Sequence, residues 1–281
     1  MPNTLFTGKV YHRFDELPST NDYAAELIAK STPPEGTVVR ADSQSAGRGQ
    51  FGSRWESAAG KNLTFSIILY PDWLETGAQF YLGMAVALAL RDAVVTAEGG
   101  MGGSASASRP SNENSQPTTS SGVHRSSSAV KIKWPNDLYI GDRKAGGILV
   151  QNTLSGRFLQ SSVVGIGLNI NQLEFGSSLP NPTSLALAFG CSFDPDDLSD
   201  RLLECLEQRY LQLKAGRRAE LKAGYERHLY RSGVPARYAR AGGPEFTGTI
   251  RGVDADGRLR VENESGREEI FDLKQVRFVN P

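Results

Sequence analysis

Histidine and cysteine are scarce in this chain, three and two among 281 residues. His12, His124 and His228 are scattered, and Cys191 and Cys205 have neither CxxC nor metal-ligand spacing. That argues against a zinc centre or a disulfide framework, and no metal-ligand residues are assigned. Net charge is missing as well. Lys+Arg and Asp+Glu both number 31, so no global basic surface advertises DNA, RNA or membrane, and any basic patch is local. The longest apolar run, Met84 to Leu90, falls far short of the roughly 20 residues a bilayer span needs. The first residues, MPNTLFTGKVYHRF, contain no apolar core of signal-peptide length. The expectation is a cytoplasmic chain with neither a membrane nor a DNA partner.

Glycine and cationic side chains are concentrated at Ser43 to Trp55, SQSAGRGQFGSRW. Gly47, Gly49 and Gly52 let the backbone turn tightly and approach a ligand, while Arg48 and Arg54 supply charge. This is how an anion cradle is built. The stretch lacks the Gly-Lys-Ser/Thr ending of a nucleotide P-loop and does not follow the dinucleotide fingerprint. A glycine-rich surface loop with scattered arginines would read the same way. Ahead of it, Ser19-Thr20-Asn21-Asp22 precedes YAAELIAK, and a Ser-x-x-Asp cap accounts for that tetrad without any ligand.

The element pattern is mixed. Val10 to Leu17, TVVRADSQ and NLTFSIILY read as strands, and Gln79 to Ala97 reads as a helix apolar on nearly every side, hence buried. From Ala129, AVKIKW, LYI, AGGILVQ and RFLQSSVVGIGLNIN form an antiparallel meander, with Gly146, Gly147, Gly165 and Gly167 where something can come close. Asp194 to Tyr230 repeats leucine and tyrosine at helical intervals. Strands clustered between helices without regular alternation predict an α+β class, a mixed and mostly antiparallel sheet packed with helices. Residues 1–232 form one domain, interrupted at 98–129 by a Gly/Ser-rich insertion expected to be a disordered surface loop. Residues 233–281 carry short strands at turn spacing and predict a small β-barrel. Its plainest role is packing or support of a homodimer, and the alternative is closing over a partner.

The order STN, GRG-x-x-G-x-x-W, KWPND, GILV and GIGLNIN resembles the biotin protein ligases over nearly the whole chain apart from the insertion. The resemblance implies a class II synthetase-like catalytic domain and an SH3-like C-terminal barrel. It implies ATP-dependent formation of biotinyl-AMP, with Mg2+ carried by the phosphates, and transfer to a lysine of a biotin carboxyl carrier protein. Carried over by position, Ser19, Thr20, Asn21, Gln44, Gly47, Arg48, Gly49, Gly146 and Gly147 fall at the biotin site. Arg48, Gln50, Arg54, Trp55, Asn136 and Asn169 fall at the ATP or adenylate site. Lys144 serves both, and the catalytic set is Lys144, Arg48 and Asp137, with Asp137 tied to attack by the carrier lysine.

Each of these has a plainer reading. Lys144 could be a solvated lysine after a hairpin turn, and Asp137 a turn residue after Pro-Asn. Gln50 departs from the arginine many relatives have. Only 18 residues precede the STN segment, where repressor relatives carry a helix-turn-helix domain, so DNA binding is not expected. Lipoate or octanoate enzymes of the same fold are the competing class, but they carry a run of adjacent glycines that is not found near Ser43. A non-catalytic biotin-binding module would keep the pocket and not need Lys144 or Asp137. A nucleic-acid binder built on the C-terminal strands is opposed by the balanced charge of RLRVENESGREEIFDLK.

Overall fold

In the computed structural model, which describes residues 2–101, 129–177 and 179–279, two sheets share one core. The larger has seven strands: β1 (Tyr11–Leu17), β2 (Val38–Gln44), β3 (Leu63–Leu69), β4 (Val130–Lys133), β5 (Asp137–Ile140), β6 (Arg143–Ser155) and β7 (Phe158–Leu168). Their spatial order is β1-β2-β3-β7-β6-β5-β4. Only β1 and β2 run parallel, and the other neighbours are antiparallel, as the mixed sequence pattern predicts.

Local chemistry starts each element where it is needed. Helix α1 (Thr20–Lys30) begins at Ser19, whose hydroxyl accepts from the backbone N–H of Asp22, so the predicted cap is present. Helix α2 (Gln79–Met101) runs four residues past the expected start of the insertion, carrying through Gly99 and Gly100 despite the low helix propensity of glycine. The rest of the expected disordered insertion lies outside the described residues. By length and composition α2 could cross a bilayer, although its uninterrupted apolar run is short. Leu82, Met84, Leu88, Leu90 and Val94 are instead fully or almost fully covered in the core. A truncation such as Leu88→Ala would cost about 2–5 kcal/mol.

The expected helical stretch after Asp194 is two helices, α4 (Pro195–Lys214) and α5 (Arg218–Arg227), parted at Gly216, whose φ of +77° suits glycine. A short helix that the pattern did not announce, α3 (Leu185–Phe189), precedes them. The C-terminal strands are β8 (Pro235–Arg240), β9 (Glu245–Val253), β10 (Leu259–Asn263), β11 (Glu268–Phe271) and β12 (Val276–Phe278). They make an all-antiparallel sheet of order β11-β10-β9-β8-β12. Trp134 holds this sheet to the larger domain by donating its indole N–H to Gly257 O at 2.8 Å. Tyr230 of the larger domain stacks on Phe278, their centroids 6.2 Å apart. Thus β12 is brought to the mouth of the seven-stranded sheet.

Candidate active site

A cavity of about 380 Å³ opens over β7 and β6, and a second of about 420 Å³ lies beside it. They share Ser53, Arg54, Trp55, Lys133, Asp137, Lys144, Arg277 and Phe278. Four of these eight are cations against one carboxylate, and on this wall Lys144 Nζ lies 2.6 Å from Asp137 Oδ1.

A bulge creates that pair. Asp137 pairs with Gly147 and Leu138 with Gly146, but Tyr139 pairs with Lys144, so Ala145 is one residue too many. Strict alternation would send Gly147 and Lys144 to opposite faces, and the extra residue returns Lys144 to the face of Asp137. The backbone of Lys144 is then fixed by the segment ahead of α3: its N–H donates to Asn181 O and its carbonyl accepts from Thr183 N, each at 2.8 Å. Gly147 lies directly beneath the pair: a Cβ there would sit in ordinary van der Waals contact with both, 3.5 Å from Lys144 Nζ and 3.4 Å from Asp137 Oδ1. Asn136 lines the first cavity and anchors the turn to β6, its side-chain amide donating to Ile148 O.

The first cavity ends in buried polar groups. Ser19, Thr20 and Asn21 are between 2% and 4% exposed and line it together with Gln44. Gln44 Oε1 accepts from Thr20 N at 2.7 Å and from Thr20 Oγ1 at 3.2 Å. Cap and pocket are thus the same structure, because the start of α1 both closes the helix and faces the cavity.

The glycine loop folds over this cavity as a small hairpin. Arg48 bridges Arg54, Gly49 N donates to Ser53 O at 2.7 Å and Trp55 N to Gly47 O at 3.0 Å. Gly47 and Gly49 are required by the hairpin itself. A Cβ on either would come within 2.4 Å of Trp55 O or Ser53 Oγ. Gly49, Gln50 and Arg54 line the first cavity. Arg48 lines it too, but its guanidinium is ion-paired with Asp22 on α1. Trp55 lines both cavities and lies against β7. A Cβ on Gly167 would fall 2.3 Å from its ring, and its indole N–H is buried without a hydrogen-bond partner.

Asn169 lines the second cavity. Its Nδ2 donates to Thr183 O at 3.0 Å, and its Oδ1 is buried with no hydrogen-bond partner among the described residues. Gly47 and Gly146 line neither cavity. Gly146 instead lets β6 approach β7, with Gly167 O 3.0 Å from where its Cβ would be. Among the described residues no group of three or more His, Cys, Asp or Glu is placed to hold a metal.

Sequence reasoning did not assign Gly165 and Gly167 to the site, although the period-two spacing of GIGLN puts both on one face of β7. It also missed Lys133, whose ammonium lies 3.0 Å from Tyr139 Oη and about 5 Å from the centroids of the Tyr139 and Phe278 rings. Arg277 and Phe278 had no local signal, since they arrive from β12, more than 100 residues away in the chain.

Residues 13–169 match the model of the biotin/lipoate A/B protein ligase family, and residues 237–272 match that of the biotin protein ligase C terminal domain. The bifunctional ligase/repressor BirA of Bacillus subtilis is 31% identical over 267 residues, covering 93% of this chain and 71% of that protein. The biotin--[acetyl-CoA-carboxylase] ligase of Paracoccus denitrificans is 29% identical, covering 90% and 96%. In fold, the chain is similar to the Aquifex aeolicus biotin protein ligase in complex with biotin and ATP, with a TM-score of 0.72 and 23% identity over 96% of this chain and 100% of the other.

Proposed function

Because this chain belongs to the biotin/lipoate A/B protein ligase family, we propose that it activates biotin with ATP and transfers it to a lysine of a biotin carboxyl carrier protein in the cytoplasm. The observation that carries this reading is the pair of cavities meeting at Lys144 and Asp137. An acyl donor in the first cavity and a nucleotide in the second would bring carboxylate and α-phosphate together at that shared cationic wall.

In the first step the biotin carboxylate oxygen attacks the α-phosphorus of ATP and the bond to the β-phosphate oxygen breaks, giving biotinyl-AMP and pyrophosphate. Two anions must meet, so the chain's task is to neutralise charge and hold them in line. Lys144 lies on the shared wall and is the principal cation. Arg54 adds a second, and Arg48 a third once its pair with Asp22 opens. The buried Oδ1 of Asn169 suits the exocyclic amine of adenine, and Trp55 forms the partition between acyl and nucleotide ends. In the second step the carrier lysine, as the neutral amine, attacks the acyl carbon and AMP departs. Asp137, beside Lys144, is the carboxylate able to orient the incoming ammonium and take its proton. Mg2+ would arrive with the triphosphate, since the two cavities are lined by only two carboxylates, Glu56 and Asp137, and Asp137 is paired with Lys144.

Biotin-dependent exchange of labelled pyrophosphate into ATP tests the reading, with lipoate and octanoate as parallel acids. Exchange with biotin alone is expected. Exchange with lipoate or octanoate instead moves the chain to the sister activity, and exchange with none removes the adenylation step.

A further inference from the structure

Behind the polar end of the first cavity lie two residues that do not line it, Ser66 on β3 and Gln151 on β6. Ser66 is fully buried. Its Oγ lies 2.6 Å from Asn21 Oδ1 and 2.8 Å from Thr20 Oγ1. On the other side, Asn21 Nδ2 donates to Gln151 Oε1 at 2.7 Å. The arrangement requires Gly165, since a Cβ there would sit 2.0 Å from Asn21 Oδ1.

These contacts fix the direction of every proton in the row. With Gln151 accepting from Nδ2, Asn21 must turn its Oδ1 to Ser66, and the single Ser66 proton goes to that oxygen. The Thr20 hydroxyl then donates inward, to Ser66 Oγ or to Gln44 Oε1, and presents a lone pair to the cavity. Gln44 Oε1 is already engaged by the Thr20 backbone N–H at 2.7 Å, so Gln44 Nε2 is the atom that faces outward as donor. Beside the Ser19 hydroxyl, the cavity end therefore offers an acceptor at Thr20 Oγ1 and a donor at Gln44 Nε2.

We infer that Gln151 and Ser66 are positioning residues that set this polarity and thereby select an acid whose ring end carries an N–H beside a C=O, as a cyclic urea does. A dithiolane ring or an alkyl end has neither group and leaves both buried partners unpaired, which is the kind of mismatch that discriminates strongly. Asn21 Nδ2 also reaches Leu149 O, at 3.4 Å, and replacing Gln151 by a residue that cannot accept leaves that long contact as its one acceptor, so the Asn21 amide is far less firmly oriented and can turn over. Ser66 would then donate to Thr20 Oγ1, leaving the Thr20 proton only the longer contact to Gln44 Oε1 at 3.2 Å, and the lone pair would no longer be held toward the cavity. The inference rests on the biotin ligase reading above.

The test is direct binding of biotin by calorimetry to the full chain, which does not depend on ligase turnover, followed by pyrophosphate exchange at saturating biotin. Gln151→Leu and Ser66→Ala are expected to weaken biotin binding about 10- to 100-fold, with kcat of exchange held within about threefold. Gln151→Glu keeps an acceptor for Asn21 Nδ2 and should bind biotin within about threefold of the parent. Parent-like binding by Gln151→Leu overturns the inference, as does equal damage from Gln151→Glu and Gln151→Leu, which marks a purely steric role. Wild-type chain that binds no biotin overturns the ligase reading and this one together. Wild-type binding with unaffected variants overturns this one alone.

Discussion

Arginines of the C-terminal sheet and cations of the cavity wall are treated in opposite ways. On the sheet, Arg240 meets Glu269 at 2.7 Å, Arg260 meets Glu268 at 2.8 Å, Arg251 meets Glu262 at 3.0 Å, and Arg258 meets Asp254 at 2.6 Å. Arg237 pairs with Glu245. At the junction of the cavities, Arg54 donates to the Ser45 carbonyl, Lys133 lies among rings and a hydroxyl, and neither these two nor Arg277 forms an ion pair among the described residues. One region balances its charge internally and gains shape. The other holds uncompensated positive charge, and the site's field is suited to an anionic ligand. Asp137 meets Lys144 alone, so three of the four cations on this wall are left to a ligand.

Breaking the junction should have the largest effect. Lys144→Ala is expected to lower pyrophosphate exchange by about 10²–10³-fold, the range seen when one preorganised electrostatic donor is lost. The thermal midpoint should stay near that of the parent, because the Lys144 side chain is 36% exposed and its one ion pair is part-solvated. A collapse in stability with normal exchange would reverse the assignment. Asp137→Asn separates the two steps, with transfer to carrier lysine falling about 10- to 100-fold in single-turnover assays and exchange staying within about threefold.

Arg277 sharpens the comparison, because it shares a sheet with the paired arginines yet lines both cavities. Arg277→Ala should raise KM for ATP about tenfold in exchange assays, whereas Arg240→Ala should leave it unchanged. Gln50→Arg adds a cation to a loop that already lines the first cavity. Release of labelled biotinyl-AMP should then slow by about three- to tenfold. Unchanged release would mean that Arg48, Arg54 and Lys144 already suffice.

How much of this was legible in the sequence depended on distance along the chain. Strand and helix types followed from local period, and the Ser19 cap from four adjacent residues. Gly49, Gln44, Arg54 and Asn169 line the cavities, as the resemblance to the ligases implies. What was hidden needed two segments at once. The bulge at Ala145 exists only relative to β5, so Lys144 and Asp137 read separately as a turn lysine and a turn aspartate. The ion pair between Arg48 and Asp22 joins a loop to a helix, and Arg277 and Phe278 reach the site only because Trp134 and Tyr230 dock the C-terminal sheet. Gly47 and Gly146 line neither cavity, and the close backbone approaches they permit likewise involve a second segment, Trp55 O for one and Gly167 O for the other.

The smallest effects belong to the balanced region. Glu269→Gln removes the charge that Arg240 meets, and the Arg240 guanidinium is also 4.1 Å from the Phe246 ring. Because the pair is partly exposed, a loss of at most about 1 kcal/mol is expected by urea unfolding, shrinking further in high salt. Its pH dependence has a definite sign. Arginine hydrogen bonds hold the carboxyls of Glu268 and Glu269 below their usual values, and Asp254 is also held low by backbone and Arg258 hydrogen bonds that outweigh its partial burial. Folding therefore gains from their ionised forms at pH above the ordinary carboxylate range, and that gain disappears as pH falls through the lowered values. His228 acts in the same direction by another route. Burial and the nearby Arg91 and Lys131 push its pKa down to about 4, so the folded chain keeps it neutral, and stability falls between about pH 6.5 and 4 as the unfolded chain takes up the proton first. Acid titration of the thermal midpoint should thus show one decline beginning near pH 6.5 that His228→Gln removes, and a second at lower pH that Glu269→Gln reduces. If biotin exchange in Glu269→Gln stays normal while that second decline weakens, charge on the C-terminal sheet is acting on shape alone.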